Sequence, residues 1–171
     1  EETLADQGVI FLDAPVSGQT IGAENGTLTV MIGGSAAGFE QALPAIQAFG
    51  KLIKHVGESG AGFAVKAVNN MLMAVNLCAV AEGFVTLKAH GVSLNEALEC
   101  INASSGKSNV TETVMPQRIL NRSFPLTFAL PLLAKDTGIA VDLVRDAKLS
   151  APLLSLTQNL IQAANLQAEE N

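Results

Sequence analysis

The segment GFAVKAVNNMLMAVNLCAVAEGFVTLKAH, residues 62–90, constrains the fold more than any other part of the chain. It contains no proline, and small or aliphatic residues fill most of its positions. Strands rarely run beyond about ten residues, so one long helix is the reading that fits. Such a helix has the length of a membrane span, which needs about 20 mostly apolar residues with few charges. Here Lys66, Asn69, Asn70, Asn76, Glu82 and Lys88 interrupt the apolar run. A helix buried inside a soluble protein fits better, and no membrane association is expected.

The two sides of this helix differ in character. Ahead of it, residues 9–14 (VIFLDA) form a short run that is apolar on both faces. That pattern predicts a strand of a parallel sheet covered on both sides. A polar segment with Pro15, Gly18, Gly22 and Gly26 follows and is read as a loop. Residues 26–33 predict a second strand. Gly34-Ser35 then caps a helix over residues 36–49, with Pro44 weakening its middle. Residues 50–57 predict a third strand. The order β-loop-β-α-β is that of part of a nucleotide-binding sheet.

Beyond Gly62 no convincing strand appears. Ser93 and Glu96 have capping-box spacing and open a helix to about Asn102. Residues 104–109 (SSGKSN) form a loop that lacks the frame of a phosphate loop. A helix over 111–120 is bent by Pro116, and two more cover 130–148 and 151–166. Ser150 and Pro152 suit the start of the last one. Residues 167–171 are expected to fray. The expected division is therefore a short α/β piece, 1–59, and an all-helical domain, 60–171.

Composition narrows the function. Hydrophobic residues make up 49% of the 171 and charged ones 15%, which excludes a disordered chain. With seven Phe and neither Trp nor Tyr, the core falls to Ala, Leu, Val and Ile. The net charge of −6 and the lack of a basic cluster argue against nucleic acid as a partner. Cys78 and Cys100 lie in apolar surroundings without CxxC spacing. They are read as buried thiols of a reducing compartment, with a disulfide left open. Residues 1–8 are acidic and polar, unlike a signal peptide, so a cytoplasmic location is expected. His55 and His90 have no partner at metal spacing, and no metal site is expected.

Three constellations could carry chemistry. Ser17-Gly18 can offer a hydroxyl and backbone N–H groups to a carboxylate, or it can be a tight turn capped by the serine. The segment is not GxSxG, which argues against a nucleophile elbow. Lys66 and Asn70 stand four apart on one helix face that is otherwise apolar. A partly desolvated lysine there can exchange a proton with a hydroxyl that Asn70 holds. The other reading has Lys66 reaching for solvent while Asn70 caps a loop. Lys135 and Asp136 end an apolar stretch, facing either a cleft or solvent.

In order and spacing, DAPVSGQTIGAENGTLTVMIGG (13–34), GAGFAVKAVNN (60–70) and FALPLLAKD (128–136) resemble the β-hydroxyacid dehydrogenases, the 3-hydroxyisobutyrate dehydrogenase family. The resemblance covers nearly all of the chain. It implies a mainly α fold: an all-helical C-terminal domain of the 6-phosphogluconate dehydrogenase type, preceded by the last β/α elements of a Rossmann domain. It implies that Ser17 and Gly18 bind a substrate carboxylate, that Lys66 is catalytic and that Asn70 orients the reacting oxygen. It implies that Lys135 reaches over the nicotinamide cofactor, with Phe128 and Asp136 lining and supporting that site. Gln19 stands where the family often has a second glycine, so its side chain bears on substrate choice.

The implied cofactor is NAD or NADP, and the implied substrate a small β-hydroxy carboxylate. The implied assembly is a homo-oligomer through the helical domain. The glycine-rich turn that holds the cofactor pyrophosphate is absent from the sequence. The chain is thus expected to be the C-terminal part of a longer enzyme and inactive alone. Two other readings stay in view: a non-catalytic helical oligomerisation module, and a lysine enzyme that forms a Schiff base through Lys66.

Overall fold

The computed structural model describes residues 2–169. It divides into two compact units, Glu1–Asn69 and Asn70–Asn171.

The first unit holds α1 (Glu2–Ala5), β1 (Val16–Ser17), α2 (Gln19–Glu24), β2 (Leu28–Gly33), α3 (Ala36–Ile46) and β3 (Gly50–Gly57), with the start of α4 (Ala61–Ala89). The sheet order is β1-β2-β3. β2 is its centre, antiparallel to β1 and parallel to β3. Alternate residues Leu28, Val30 and Ile32 of β2 pack on Ile46 of α3, joined by Leu12, Phe39, Ala42 and Ile53. Val30 and Ile32 have no exposed surface. Burying each contributes about 1.5–3 kcal/mol. α3 begins where the sequence places it, because the Ser35 hydroxyl accepts the Gly38 N–H at 3.1 Å. β3 is joined to α3 by the stacking of His55 on Phe39, with ring centroids 5.4 Å apart.

The second unit holds the rest of α4, α5 (Leu94–Asn102), a π-helix (Val110–Leu120), α6 (Leu130–Asp146) and α7 (Pro152–Glu169). Ala74 of α4 packs with Leu133 and Ala134 of α6 and Ile161 of α7. A second cluster joins Phe84 of α4 to Leu98, Val110 and Met115. Pro131 and Pro152 lie in the first turns of α6 and α7, where no intrahelical N–H is lost.

Several expectations need correction. Residues 9–14 form no strand. Only Asp13 bridges to β2, opposite Gly33, and Val9, Ile10 and Phe11 are exposed. An apolar run becomes a strand only where a neighbour takes its backbone groups, and within residues 9–14 the pairing with β2 is confined to Asp13. The stretch read as a loop contains α2, which leaves Gly18 (φ 137°) and folds back beneath Leu28. Ser93 does precede α5, but its side chain makes no capping bond. The reciprocal cap is made instead by Ser108 and Thr111 at the π-helix. Each side-chain oxygen accepts the other's backbone N–H, at 3.2 and 2.8 Å. Pro116 lies inside that helix. It has no N–H and its ring crowds the preceding turn, and the wider winding accommodates both.

Burial along α4 is incomplete. Ala67, Asn70, Met71, Ala74 and Phe84 are buried, whereas Phe63, Val65, Val68, Leu72 and Val85 are exposed. By length and composition alone, α4 is long and apolar enough to cross a membrane. Cys100 is exposed and Cys78 half-buried, so only Cys78 approaches the expected burial, and both thiols are free. The expected fraying of the tail is not seen through Glu169, where α7 still runs, and residues 170–171 lie outside the described part.

Candidate active site

Ser17 ends β1, paired with Thr29 of β2, and is half-buried. Gly18 follows with φ 137°, a conformation that disfavours side chains. A Cβ there would also lie 3.0 Å from the Leu28 side chain. Gln19 then takes φ 58°, also left-handed, without glycine's freedom. Glycine would adopt this left-handed backbone without the strain that an L residue carries.

Lys66 stands in the second turn of α4, half-buried. The start of α4 is fixed by a residue that sequence reasoning missed. Asp13 is 2% exposed, and its carboxylate accepts the Gly60 N–H at 2.7 Å and the Phe63 N–H at 2.8 Å. A carboxylate at a helix N-terminus meets both the orphan N–H groups and the positive end of the helix dipole. The fit requires two glycines. A Cβ on Gly62 would lie 2.7 Å from Asp13 Oδ2 and closer still to the Met31 carbonyl. A Cβ on Gly33 would meet Asp13 Oδ1 and, at 2.7 Å, the Glu58 carbonyl. An aspartate ending an apolar run carries no spacing signal that could have pointed to this role.

In the second unit, Asn70, 5% exposed, donates from its side-chain nitrogen to Asp136 Oδ2 at 2.6 Å. Asp136 Oδ1 is 3.1 Å from the Lys135 ammonium. Lys135 and Asp136 are therefore not a simple solvated pair: the Asp136 side chain is 13% exposed and Lys135 62%. One carboxylate holds a buried amide on α4 and a surface ammonium on α6. Phe128 is exposed in the segment before α6. The structure thus joins Asn70, Asp136 and Lys135 by direct contacts, and keeps Ser17, Gly18 and Gln19 contiguous where β1 passes into α2.

Among the described residues, no group of three His, Cys, Asp or Glu is placed to hold a metal. His55 is engaged with the Gly34 carbonyl at 2.7 Å. A shallow hollow of about 360 Å³ is lined by Gly8, Ile10, Leu12, Gly38, Gln41 and Ala42. It offers no ionisable group, and none of the residues singled out above lines it. Burial, and secondarily Glu82, pushes the Cys78 thiol above its ordinary value of 9.0, which disfavours a nucleophilic thiolate there.

Known proteins match this chain. The family described as "NAD-binding of NADP-dependent 3-hydroxyisobutyrate dehydrogenase" matches residues 60–171, and "NAD binding domain of 6-phosphogluconate dehydrogenase" matches residues 1–57. The 2-(hydroxymethyl)glutarate dehydrogenase of Eubacterium barkeri is 39% identical over 158 residues, which cover 92% of this chain and 52% of that protein. The mitochondrial 3-hydroxyisobutyrate dehydrogenase of Drosophila melanogaster is 33% identical over 169 residues, 95% of this chain and 52% of that one. Among solved structures, Mycobacterium tuberculosis 3-hydroxyisobutyrate dehydrogenase with L-serine superposes with a TM-score of 0.87 at 34% identity, covering 95% of this chain and 58% of that chain.

The class is that of nicotinamide-dependent oxidoreductases. The chain belongs to the 3-hydroxyisobutyrate dehydrogenase family. It spans about half the length of the curated relatives it matches. The cofactor of this family is NAD or NADP.

Proposed function

We propose that this chain supplies the substrate-holding and proton-relaying residues of an NAD(P)-dependent 3-hydroxyacid dehydrogenase. The observation that carries the reading is on α4. Half-buried Lys66 stands one turn before Asn70, whose amide is fixed by Asp136 at 2.6 Å. Ser17 and Gly18 hold the substrate carboxylate through a hydroxyl and backbone N–H groups. Lys66 takes the proton from the carbinol hydroxyl and, in the reverse direction, returns it to the developing alkoxide. Its positive charge stabilises that oxygen. Asn70 orients the same hydroxyl, and Asp136 keeps the Asn70 amide from turning. Fixing the carboxylate selects acids whose carbinol lies at the β position. The substrate proposed is a 3-hydroxyisobutyrate- or tartronate-semialdehyde-type acid.

The residues present fit a cofactor contact. The Lys135 ammonium is 62% exposed, and Asp136 engages it from one side. An ammonium has three donors, so Lys135 can present others outward to a cofactor acceptor, with exposed Phe128 beside the same helix start. Bound NAD(P) supplies the acceptor for the hydride of the carbinol carbon. The glycine-rich pyrophosphate turn is not in this sequence, so the 171-residue chain alone is proposed to be inactive. The test is hydroxyacid-dependent NAD(P) reduction by the complete protein. Its absence there would refute the assignment, and turnover by the 171-residue chain would refute the claim of inactivity.

A second reading, a non-catalytic oligomerisation module, draws on exposed leucines. Leu153, Leu156 and Leu160 line one face of α7 at helical spacing. Homo-oligomerisation through the helical domain is proposed under either reading, in a reducing cytoplasm that suits two free thiols. Size-exclusion of a Lys66→Ala variant separates the two. Unchanged assembly with lost turnover supports the enzyme, and unchanged assembly with unchanged turnover refutes the role of Lys66.

A further inference from the structure

We infer that Asp13 is a positioning residue that sets Lys66 in place relative to Ser17; this rests on the proposed function above. Asp13 is tied at four points. Its backbone N–H and carbonyl pair with Gly33 at 3.1 and 2.8 Å, and its two carboxylate oxygens accept the Gly60 and Phe63 N–H groups. The strand-like segment then continues along β2. The Pro15 carbonyl accepts the Met31 N–H at 3.0 Å, and Ser17 stands opposite Thr29. Ser17 and Asp13 therefore lie on one stretch of backbone held to one strand. Lys66 lies three residues beyond Phe63, one turn along α4.

The two ends of the proposed chemistry, carboxylate holder and proton carrier, are thus linked through one buried side chain. The linkage is short and close-packed. Gly62 sits against the Met31 carbonyl and the Asp13 carboxylate, with no space for a Cβ. A change at Asp13 cannot be absorbed locally. Asparagine keeps the size, but it has one acceptor oxygen for two N–H groups and turns its own NH2 towards the other. The first turn of α4 then loses one of its two anchors, and Lys66 moves relative to Ser17 while β2 stays paired. A plain helix cap would cost stability without changing how substrate is handled.

The test is steady-state kinetics of the complete protein, wild type and Asp13→Asn, with 3-hydroxyisobutyrate and NAD(P). Losing a hydrogen bond to a buried charge is expected to lower kcat at least about tenfold and raise the KM for the acid, with the KM for NAD(P) unchanged. Wild-type kcat and acid KM in the variant would overturn the inference. So would a loss of activity that merely tracks the loss of folded protein. If Asp13→Asn does not fold, Asp13→Glu, which keeps the charge and displaces it, is judged by the same criteria. If the wild-type protein shows no hydroxyacid-dependent turnover, the proposed function fails, and hydrogen exchange in the 171-residue chain decides Asp13 separately. Exchange at residues 63–67 at least about tenfold faster in Asp13→Asn, with Met31 still protected, upholds the anchoring role. Unchanged protection at residues 63–67 overturns it.

Discussion

Asn70 on α4 and Asp136 on α6 are joined by a 2.6 Å hydrogen bond from amide to carboxylate, and Asn70 is almost wholly buried. Replacing Asp136 with Ala removes a charged acceptor from a buried donor. The expected cost is about 1.5–3 kcal/mol, seen as a lower urea midpoint at unchanged slope. Asp136→Asn, which keeps an acceptor oxygen, is expected to lose less. Equal stability of Asp136→Ala and the wild type would mean that the bond contributes nothing.

Gly62→Ala should destabilise, although alanine is the better helix former by about 1 kcal/mol. The added Cβ would lie 2.7 Å from Asp13 Oδ2 and closer still to the Met31 carbonyl. Neither is the loose end of a long side chain, so α4 must shift. A net loss of about 1–3 kcal/mol is expected. Thermal unfolding checks it, and a raised Tm would contradict the close approach.

β2, α3 and β3 were legible because their apolar spacing and the Ser35 cap are local signals. α4 was legible from its long, proline-free run of small and aliphatic residues. That α4 leaves Phe63, Val65, Val68, Leu72 and Val85 exposed was not, because burial depends on what packs against them. Residues 9–14 misled because apolarity says nothing about whether a partner strand is present. The π-helix was hidden because its winding differs from an α-helix by a hydrogen-bond shift that composition does not encode. Lys66, Asn70, Lys135 and Asp136 stood out as polar residues in apolar stretches. Asp13 did not, because its role depends on two backbone N–H groups far along the chain.

Gln19 occupies a left-handed backbone, φ 58°. For an L residue this costs roughly 1–2 kcal/mol, partly offset by the entropy that glycine would lose. Gln19→Gly is therefore expected to be neutral or up to about 1 kcal/mol stabilising, and to widen the range of acids accepted by the complete protein. Chemical denaturation reads the first effect and relative kcat/KM values the second. A clear destabilisation would show that the Gln19 side chain contributes more than its backbone costs.

The two cysteines should differ in reactivity. Cys100 is exposed, whereas Cys78 is partly buried near Glu82, and both effects raise its pKa. At mild alkaline pH, iodoacetamide should label Cys100 first and Cys78 slowly, with the Cys78 profile displaced above 9.0. The unfolded thiol ionises first, so the folded state loses stability as pH rises from about 9 towards the higher folded value. Peptide mapping of the labelled chain checks the order. Faster labelling of Cys78 would contradict its burial.

The central claim is that Lys66 relays the proton of a β-hydroxy acid. Its most direct test is the kcat of the complete protein with 3-hydroxyisobutyrate and NAD(P), wild type against Lys66→Ala, at matched folded concentration. General acid–base catalysis contributes about 10²–10⁴-fold, so a loss of at least about a hundredfold in kcat is expected. A Lys66→Ala protein that turns over at the wild-type rate would contradict it.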